Sequence, residues 1–198
     1  MVKLSRRAFI AATSATAASI ALPGLGRAAE IKESAFLKDR VAAGTLPPVA
    51  QRLPANPLVI TPLERAGQQG GDWKHALVGG GSLSMVVRYQ GYEPLVRFNP
   101  DWSGLVENTA ESWSVNADAT EYTFRLRKGV TFSDGTPLDA EAVAKNYDTY
   151  GRGNPALKLP VSEVINNYDR SEVVDPQTVR FFFKKPSPGF LQGTSVIG

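Results

Sequence analysis

Cysteine is missing from this chain of 198 residues, and histidine occurs only once, as His75. Without cysteine there is no disulfide, no thiolate metal site, no cysteine nucleophile and no lipid anchor on a leading cysteine. One histidine is too few for a histidine-based metal site or a Ser-His-Asp triad. We therefore predict no metal, no cofactor and no catalytic residue, and we do not interpret the chain as an enzyme. His75 itself is interpreted as an ordinary strand residue.

A glycine run at 79–81 followed by Ser82 lacks the residues that three kinds of catalytic loop require. A P-loop needs lysine and then serine or threonine after its last glycine, but Leu83 follows Ser82. A dinucleotide fingerprint needs glycine or alanine where Ser84 stands. A nucleophile elbow needs glycine at that same position. The sequence excludes all three.

The glycine run still predicts a candidate ligand site. The residues at 73–78 predict a strand, and those at 82–92 predict a helix. A glycine-rich turn between them exposes backbone N–H groups and lets a ligand approach the main chain closely. Gly80, Gly81 and Ser82 are therefore the predicted ligand-binding residues. On the residues alone, a flexible connector remains an equal alternative.

Acidic residues are absent from positions 1–28, which carry four basic ones. A basic start, an Ala-rich apolar stretch at 8–25 and small residues up to Ala28 predict a secretory signal peptide cleaved after Ala28. The stretch is too short and too polar to span a membrane. An amphipathic helix is the alternative, but the apolar residues share no face. Arg6 and Arg7, followed by Phe9, resemble a twin-arginine export signal.

Removing that leader changes the charge of the chain. The whole chain has 22 basic and 19 acidic residues, and the leader holds four of the basic ones, which leaves 18 against 19. The sequence pI of about 9.2 therefore comes largely from the leader and gives no reason to expect nucleic-acid binding. We expect the mature protein to be periplasmic, soluble and free of a lipid anchor.

In the part that follows the leader, prolines and alternating apolar and polar residues predict the secondary structure. Residues 29–57 contain repeated prolines and predict an extended arm, although 31–41 has helical spacing. Alternating apolar residues predict one hairpin at 112–126, continued by Val130 and Phe132, and a second at 173–183. Between them, Asp139 caps a predicted helix whose face contains Val143, Tyr147 and Tyr150. A short strand is also expected at 58–60.

Several segments stand in an order and spacing that resemble a known family. They are Tyr92-Glu93-Pro94-Leu95-Val96-Arg97-Phe98, Ala110-Glu111-Ser112-Trp113, Tyr122-Thr123-Phe124-Arg125-Leu126-Arg127-Lys128-Gly129-Val130 and Phe132-Ser133-Asp134-Gly135-Thr136-Pro137-Leu138. Together they resemble the oligopeptide- and dipeptide-binding branch of ABC solute-binding proteins, called solute-binding protein family 5. The family usually has Pro and Leu where this chain has Glu107 and Thr109. The resemblance runs from about residue 58 to 191.

The resemblance implies an α/β fold of the periplasmic-binding-protein type II, with two lobes and an accessory subdomain. It implies that residues 58–198 are the N-terminal part of that domain, that about 85–168 form the accessory subdomain, and that the second hairpin returns to the first lobe. We interpret the end of the chain as a truncation that leaves out the second lobe. Val179, Phe181, Phe183 and the strand at 76–78 are then expected to lose part of their cover.

The implied function is solute capture for an ABC permease in the inner membrane, after export by the twin-arginine machinery. The expected solute is an oligopeptide, and an oligosaccharide is the second choice, because the residues at 56–62 and 70–73 are more like longer, sugar-carrying members. A ligand-reporting partner of a chemoreceptor and a secreted hydrolase are the alternatives from other functional classes.

Overall fold

Six strands and four α-helices have described bounds in this computed structural model, and further helical residues occur at 83, 84, 86 and 91. The structure describes residues 31–196 except 69, 73, 85, 87–90 and 159–166. The strands are β1 (Val96–Phe98), β2 (Leu105–Glu107), β3 (Ala110–Val115), β4 (Glu121–Leu126), β5 (Tyr168–Asp175) and β6 (Thr178–Phe183). The helices are α1 (Lys38–Ala42), α2 (Val49–Arg52), α3 (Ala140–Gly151) and α4 (Phe190–Val196). Within these ranges, no helix is long and apolar enough to cross a bilayer.

The first predicted hairpin is confirmed as β3 and β4. The two strands are antiparallel, with Trp113 opposite Phe124, and a bulge lies between Ala110 and Ser112. Tyr122, Phe124 and Leu126 are at most 1% exposed, because alternate residues of a strand point to the same face. The apolar period of two in the sequence therefore reports the buried face of this sheet.

The second predicted hairpin is also confirmed, and its strands belong to the same sheet as those of the first. β5 and β6 are antiparallel, and β6 pairs with β4 so that Phe124 lies opposite Val179. The four strands form one sheet in the order β3-β4-β6-β5. The expected subdomain boundary at about residue 168 falls at the start of β5, and the sheet continues across it.

Two helices cover one face of this sheet. The carboxylate of Asp139 accepts a hydrogen bond from the backbone N–H of Ala142 at 2.9 Å, which confirms the predicted cap of α3. Val143 of α3 is buried, whereas Tyr150 is 51% exposed, so the predicted helix face is correct at Val143 and wrong at Tyr150. α4 was not predicted, and its Phe190 is 2% exposed.

Aromatic rings fill the space between sheet and helices. Phe190 lies 4.7 Å from Phe183 and 4.9 Å from Tyr122, measured between ring centroids. Tyr147 lies 4.5 Å from Phe181. Val179, Phe181 and Phe183 are therefore at most 6% exposed, and the expectation that they lack cover is wrong. The reason is α4, which supplies Phe190 as their cover.

Residues 31–84 form no strand where described. The strand expected at 58–60 is not formed, and the one expected at 73–78 is not formed at 74–78. His75 therefore lies in irregular chain and is not a strand residue. A strand requires a hydrogen-bonding partner, and the two sheets are built from residues 96–183. The arm is not wholly extended either, since α1 and α2 interrupt it. An ion pair joins Glu33, which precedes α1, to Arg52 at the end of α2.

Exposure is uneven along the apolar residues. Val78 is 93% exposed and Leu77 is 45% exposed, as expected for a segment that lacks cover. Phe132 is 47% exposed, so the prediction that it continues the buried face of the hairpin is wrong. The chain turns away there, because the bridge between Thr131 and Pro137 closes a small loop.

Candidate functional site

The glycine run is an exposed turn that leads into a helix. Gly80–Ser82 form a single 3-10 turn, and residues 83, 84, 86 and 91 are helical. Gly79 has φ 76° and ψ 167°, a backbone conformation that essentially only glycine adopts. The turn and the helix start agree with the sequence, whereas residues 74–78 before them form no strand.

Open space surrounds the two glycines of the candidate site. A Cβ atom added at Gly80 or Gly81 would have no neighbour within 4 Å, and both residues are exposed. A ligand could therefore reach their backbone N–H groups, which lie at the start of a helix. The structure brings these two residues and Ser82 together on one turn.

The Ser82 hydroxyl is engaged within the turn. It donates a hydrogen bond to the carbonyl oxygen of Val78 at 2.9 Å, and the Ser84 hydroxyl likewise donates to the carbonyl of Gly81 at 2.8 Å. Local bonds of this kind stabilise turns and helix starts. Ser82 therefore shapes the site, and the two glycines supply its accessible backbone.

The carboxylates are used as structural groups. Glu111 pairs with Arg125 at 2.7 Å on the solvent face of the sheet. Asp134 accepts hydrogen bonds from the hydroxyl and the backbone N–H of Thr136, and these bonds lower the pKa of Asp134. No group of three or more acidic or histidine side chains that could hold a metal ion occurs among the residues described.

A buried arginine connects the arm to the sheet, and sequence reasoning missed it. Arg127 is 8% exposed. Its Nε donates to the carbonyl oxygen of Asn108 at 2.6 Å, and its Nη1 donates to that of Asn56 at 3.0 Å. Gly129 lies beside it, with the backbone of Pro54 3.7 Å from the place of a Cβ atom. Arg127 thus holds the arm against the end of β4.

Thr109, which replaces the usual leucine of the family pattern, also has a structural role. Its hydroxyl donates to the carbonyl oxygen of Pro94 at 2.8 Å, and the side chain of the buried Asn108 donates to that same oxygen at 2.7 Å. These bonds join the segment before β1 to the start of β3. A leucine at this position could not make the first of them.

The tryptophans and Tyr92, whose rings could stack on a ligand, differ in their exposure. Trp113 is half-buried and packs against the core, as its alternation predicts. Tyr92 is 48% exposed and Trp102 is 70% exposed. Arg6, Arg7, Ala28, Trp73 and Tyr89 lie outside the described residues.

Sequence comparison decides the family. Residues 104–198 match the family described as "Bacterial extracellular solute-binding proteins, family 5 Middle". This segment belongs to solute-binding protein family 5. It contains all of β3 to β6 and α3, so the family relationship covers the sheet and its helical cover. Within that family, the structure matches an oligopeptide-binding protein, OppA, at 34% identity and a TM-score of 0.71. The match covers 84% of this chain and 26% of OppA.

Curated family 5 relatives agree with this assignment. The glutathione-binding protein GsiB of Salmonella paratyphi A is 37% identical over 111 residues, which are 56% of this chain and 21% of GsiB. The GsiB protein of Escherichia coli K12 is 35% identical over the same length. The chain thus spans about a fifth of the length of these relatives, and both are named as binding proteins.

Proposed function

We propose that this chain is part of the periplasmic solute-binding component of an ABC importer. In this role it captures a small solute and delivers it to a permease in the inner membrane. The observation that carries the proposal is the structural similarity to OppA, at a TM-score of 0.71 over 84% of the chain. The names OppA and GsiB support an oligopeptide as the first choice of solute, and an oligosaccharide is the second.

The glycine turn is proposed as one part of the solute site. The exposed N–H groups of Gly80 and Gly81 suit a carboxylate or carbonyl oxygen of a peptide, since both are hydrogen-bond acceptors. The chain spans about a quarter of OppA, and the proposal therefore places further binding residues in sequence that lies outside the 198 residues.

Calorimetric titration tests the proposed function. Glutathione, di- to pentapeptides and oligosaccharides would be added to this chain and to the longer reading frame that contains it. We expect a peptide to bind the longer protein and to bind this chain at least about tenfold more weakly, because part of the site is missing. Failure of every peptide and sugar to bind the longer protein would contradict the proposal.

Gly81→Ala tests the turn without disturbing the fold. The added methyl group meets open space in the structure, so we expect unchanged thermal stability. It would keep a ligand oxygen away from the backbone, so peptide affinity of the longer protein should fall by about fivefold or more. Gly104→Ala, which also meets open space, is the matched control. Equal affinities for the two variants would exclude the turn from the site.

The proposed export route depends on Arg6 and Arg7. Changing both to lysine keeps the charge and the apolar stretch, but removes the pair that the twin-arginine receptor reads. We expect the precursor to remain in the cytoplasm, as measured by fractionation and immunoblotting. The matched control is Lys3→Arg, which should leave export unchanged. Normal periplasmic accumulation of the double variant would show that the general secretory route suffices.

The two alternatives give different results in simple assays. A chemoreceptor partner would bind a solute, but its deletion would abolish chemotaxis to that solute and leave uptake intact. A secreted hydrolase would show turnover in a panel of peptide and glycoside substrates. The proposal requires lost uptake on deletion and no turnover.

A further inference from the structure

Trp102, at the tip of the β1–β2 hairpin, has a backbone conformation that bulky residues rarely adopt. Its φ is 60°, in the left-handed region that favours glycine, asparagine and aspartate. The residue ends a turn in which its N–H donates to the carbonyl oxygen of Asn99 at 3.0 Å. A large ring at such a position is strained, and strain of this kind is typical of functional sites.

Hydrogen bonds make the tip rigid around this tryptophan. The side chain of Asn99 donates to the Ser103 hydroxyl at 2.8 Å and accepts from the N–H of Gly104 at 3.2 Å. The carboxylate of Asp101 accepts from the N–H of Ser103 at 2.9 Å. The loop is therefore organised before any partner arrives, which reduces the entropy lost on binding.

The indole ring is presented to solvent. It stacks on Phe98, with ring centroids 4.9 Å apart and an interplanar angle of 24°, yet Trp102 remains 70% exposed. One face is supported and the rest is open. Exposed tryptophan is enriched among the residues that dominate binding energy at protein interfaces. A strained, rigidly held and exposed tryptophan thus fits a docking anchor better than a packing residue.

The charges near the tip indicate what kind of partner fits. Residues 96–107, which form the hairpin, contain two acidic residues, Asp101 and Glu107, and one basic residue, Arg97. Three more acidic residues, Glu111, Asp118 and Glu121, lie beyond the hairpin on β3, on β4 and in the turn between them. Glu111 and Glu121 are paired with arginines of the sheet. Asp101 and Glu107 have no ion-pair partner within the described part of the chain, and the N–H of Ser103 lowers the pKa of Asp101. Asp101 therefore places a negative charge beside Trp102 at the tip.

We propose that the β1–β2 tip docks an arginine- or lysine-bearing segment of a partner protein, with Trp102 as the anchor. A cation placed over an indole face is attracted by the ring electrons. The carboxylate of Asp101, the residue before Trp102 in the chain, adds attraction at a range of up to about 10 Å. An anionic membrane surface would be repelled by the same charge, which favours a cationic protein segment.

Nuclear magnetic resonance of the full chain tests this docking site. The probe is the peptide acetyl-Gly-Arg-Gly-Arg-Gly-amide, and the same peptide with glutamate replaces it in a parallel titration. We expect the arginine peptide alone to shift the indole N–H signal of Trp102 saturably, with weaker binding at higher salt. Shifts with both peptides, with neither, or only with anionic vesicles or chitooligosaccharides would overturn the proposal.

Variants separate docking from a structural role. Trp102→Asn places a residue that tolerates the left-handed backbone, so the thermal midpoint should stay the same or rise while peptide binding falls by about threefold or more. Asp101→Asn keeps the oxygen that accepts from Ser103 but removes the charge, and should weaken binding by about twofold. Phe132→Ala, another exposed aromatic, is the control and should bind normally.

Two results would contradict Trp102 as an anchor. A thermal midpoint lowered by several degrees in Trp102→Asn would show that the ring is needed for packing. Unchanged binding in that variant would show that the peptide docks elsewhere. The signal of Trp102 also separates this test from solute capture at the glycine turn, because the two ligands are followed at different residues.

Discussion

At the scale of single residues, burial alternates sharply along β4. Phe124 is 0% exposed and lies 5.5 Å from Phe181 between ring centroids. Its neighbour Thr123 is half-buried on the opposite face, across from Arg180. Two neighbouring residues of β4 thus lie in different environments, one in the core and one on the other face of the sheet.

The first prediction uses this pair. Phe124→Ala should lower the free energy of unfolding by about 3–5 kcal/mol, because it removes a buried ring from a packed cluster. Thr123→Ala should lower it by about 0.5 kcal/mol or less, since surface substitutions usually have small effects. Chemical denaturation of the full chain, followed by far-UV circular dichroism, measures both. Similar losses in the two variants would mean that the register of β4 is wrong.

At the scale of elements, sequence predicted the parts that depend on local patterns. Both hairpins and the start of α3 follow from alternation and from the Asp139 cap, which involve residues close together in the chain. β1, β2 and α4 were missed because they are short, and Phe190 becomes core only through contacts with distant strands. The strand expected at 73–78 is not formed at 74–78. An apolar run is a local pattern, but a strand also needs a neighbouring strand to pair with, and the run does not supply one.

In the candidate site too, local features could be predicted from the sequence and long-range contacts could not. The glycine turn at Gly80 and Gly81 could be recognised, since glycine has a strong local preference. The contacts of Arg127 could not, because they join it to Asn56, a residue 71 positions away. The strained backbone of Trp102 was equally hidden, since its sequence position says nothing about φ.

The second prediction concerns the start of α3. Asp139→Ala should lower the free energy of unfolding by about 1 kcal/mol, because the N–H of Ala142 loses its acceptor. Asp139→Asn should retain most of the stability, since an amide oxygen also caps a helix. Thermal unfolding of the three proteins measures the difference. A loss in the asparagine variant as large as in the alanine variant would show that charge, and not the hydrogen bond, is decisive.

At the scale of the whole molecule, a well-packed sheet is preceded by a thinly packed segment. Residues 95–190 supply the buried apolar core, whereas the exposed large apolar residues include several between 59 and 83: Val59, Ile60, Leu63, Leu77, Val78 and Leu83. Exposed apolar area of this kind promotes association. The two regions should therefore respond differently to substitution.

The third prediction follows from this contrast. The chain should self-associate at micromolar concentration, and Leu63→Ser with Val78→Ser should reduce that association without lowering the thermal midpoint. Light scattering and differential scanning calorimetry measure the two effects. Leu126→Ser, which introduces a hydroxyl into the core at a residue 1% exposed, is the contrasting control and should unfold the sheet. A monodisperse parent chain would remove the basis of this prediction.

The strand order has a consequence for the time at which this molecule can fold. The two strands of each hairpin are joined by a few residues. The central pair, β4 and β6, places Glu121 opposite Phe182, so the loop between these strands contains α3, β5 and the connections between them. Such long loops slow folding, because the chain loses conformational entropy in closing the loop before the stabilising contacts between the strands have formed. During synthesis at roughly 5–20 residues per second, β4 emerges several seconds before β6. For that interval its three buried side chains lack the partners that β6 and α4 later supply, and a chaperone has an opportunity to bind them.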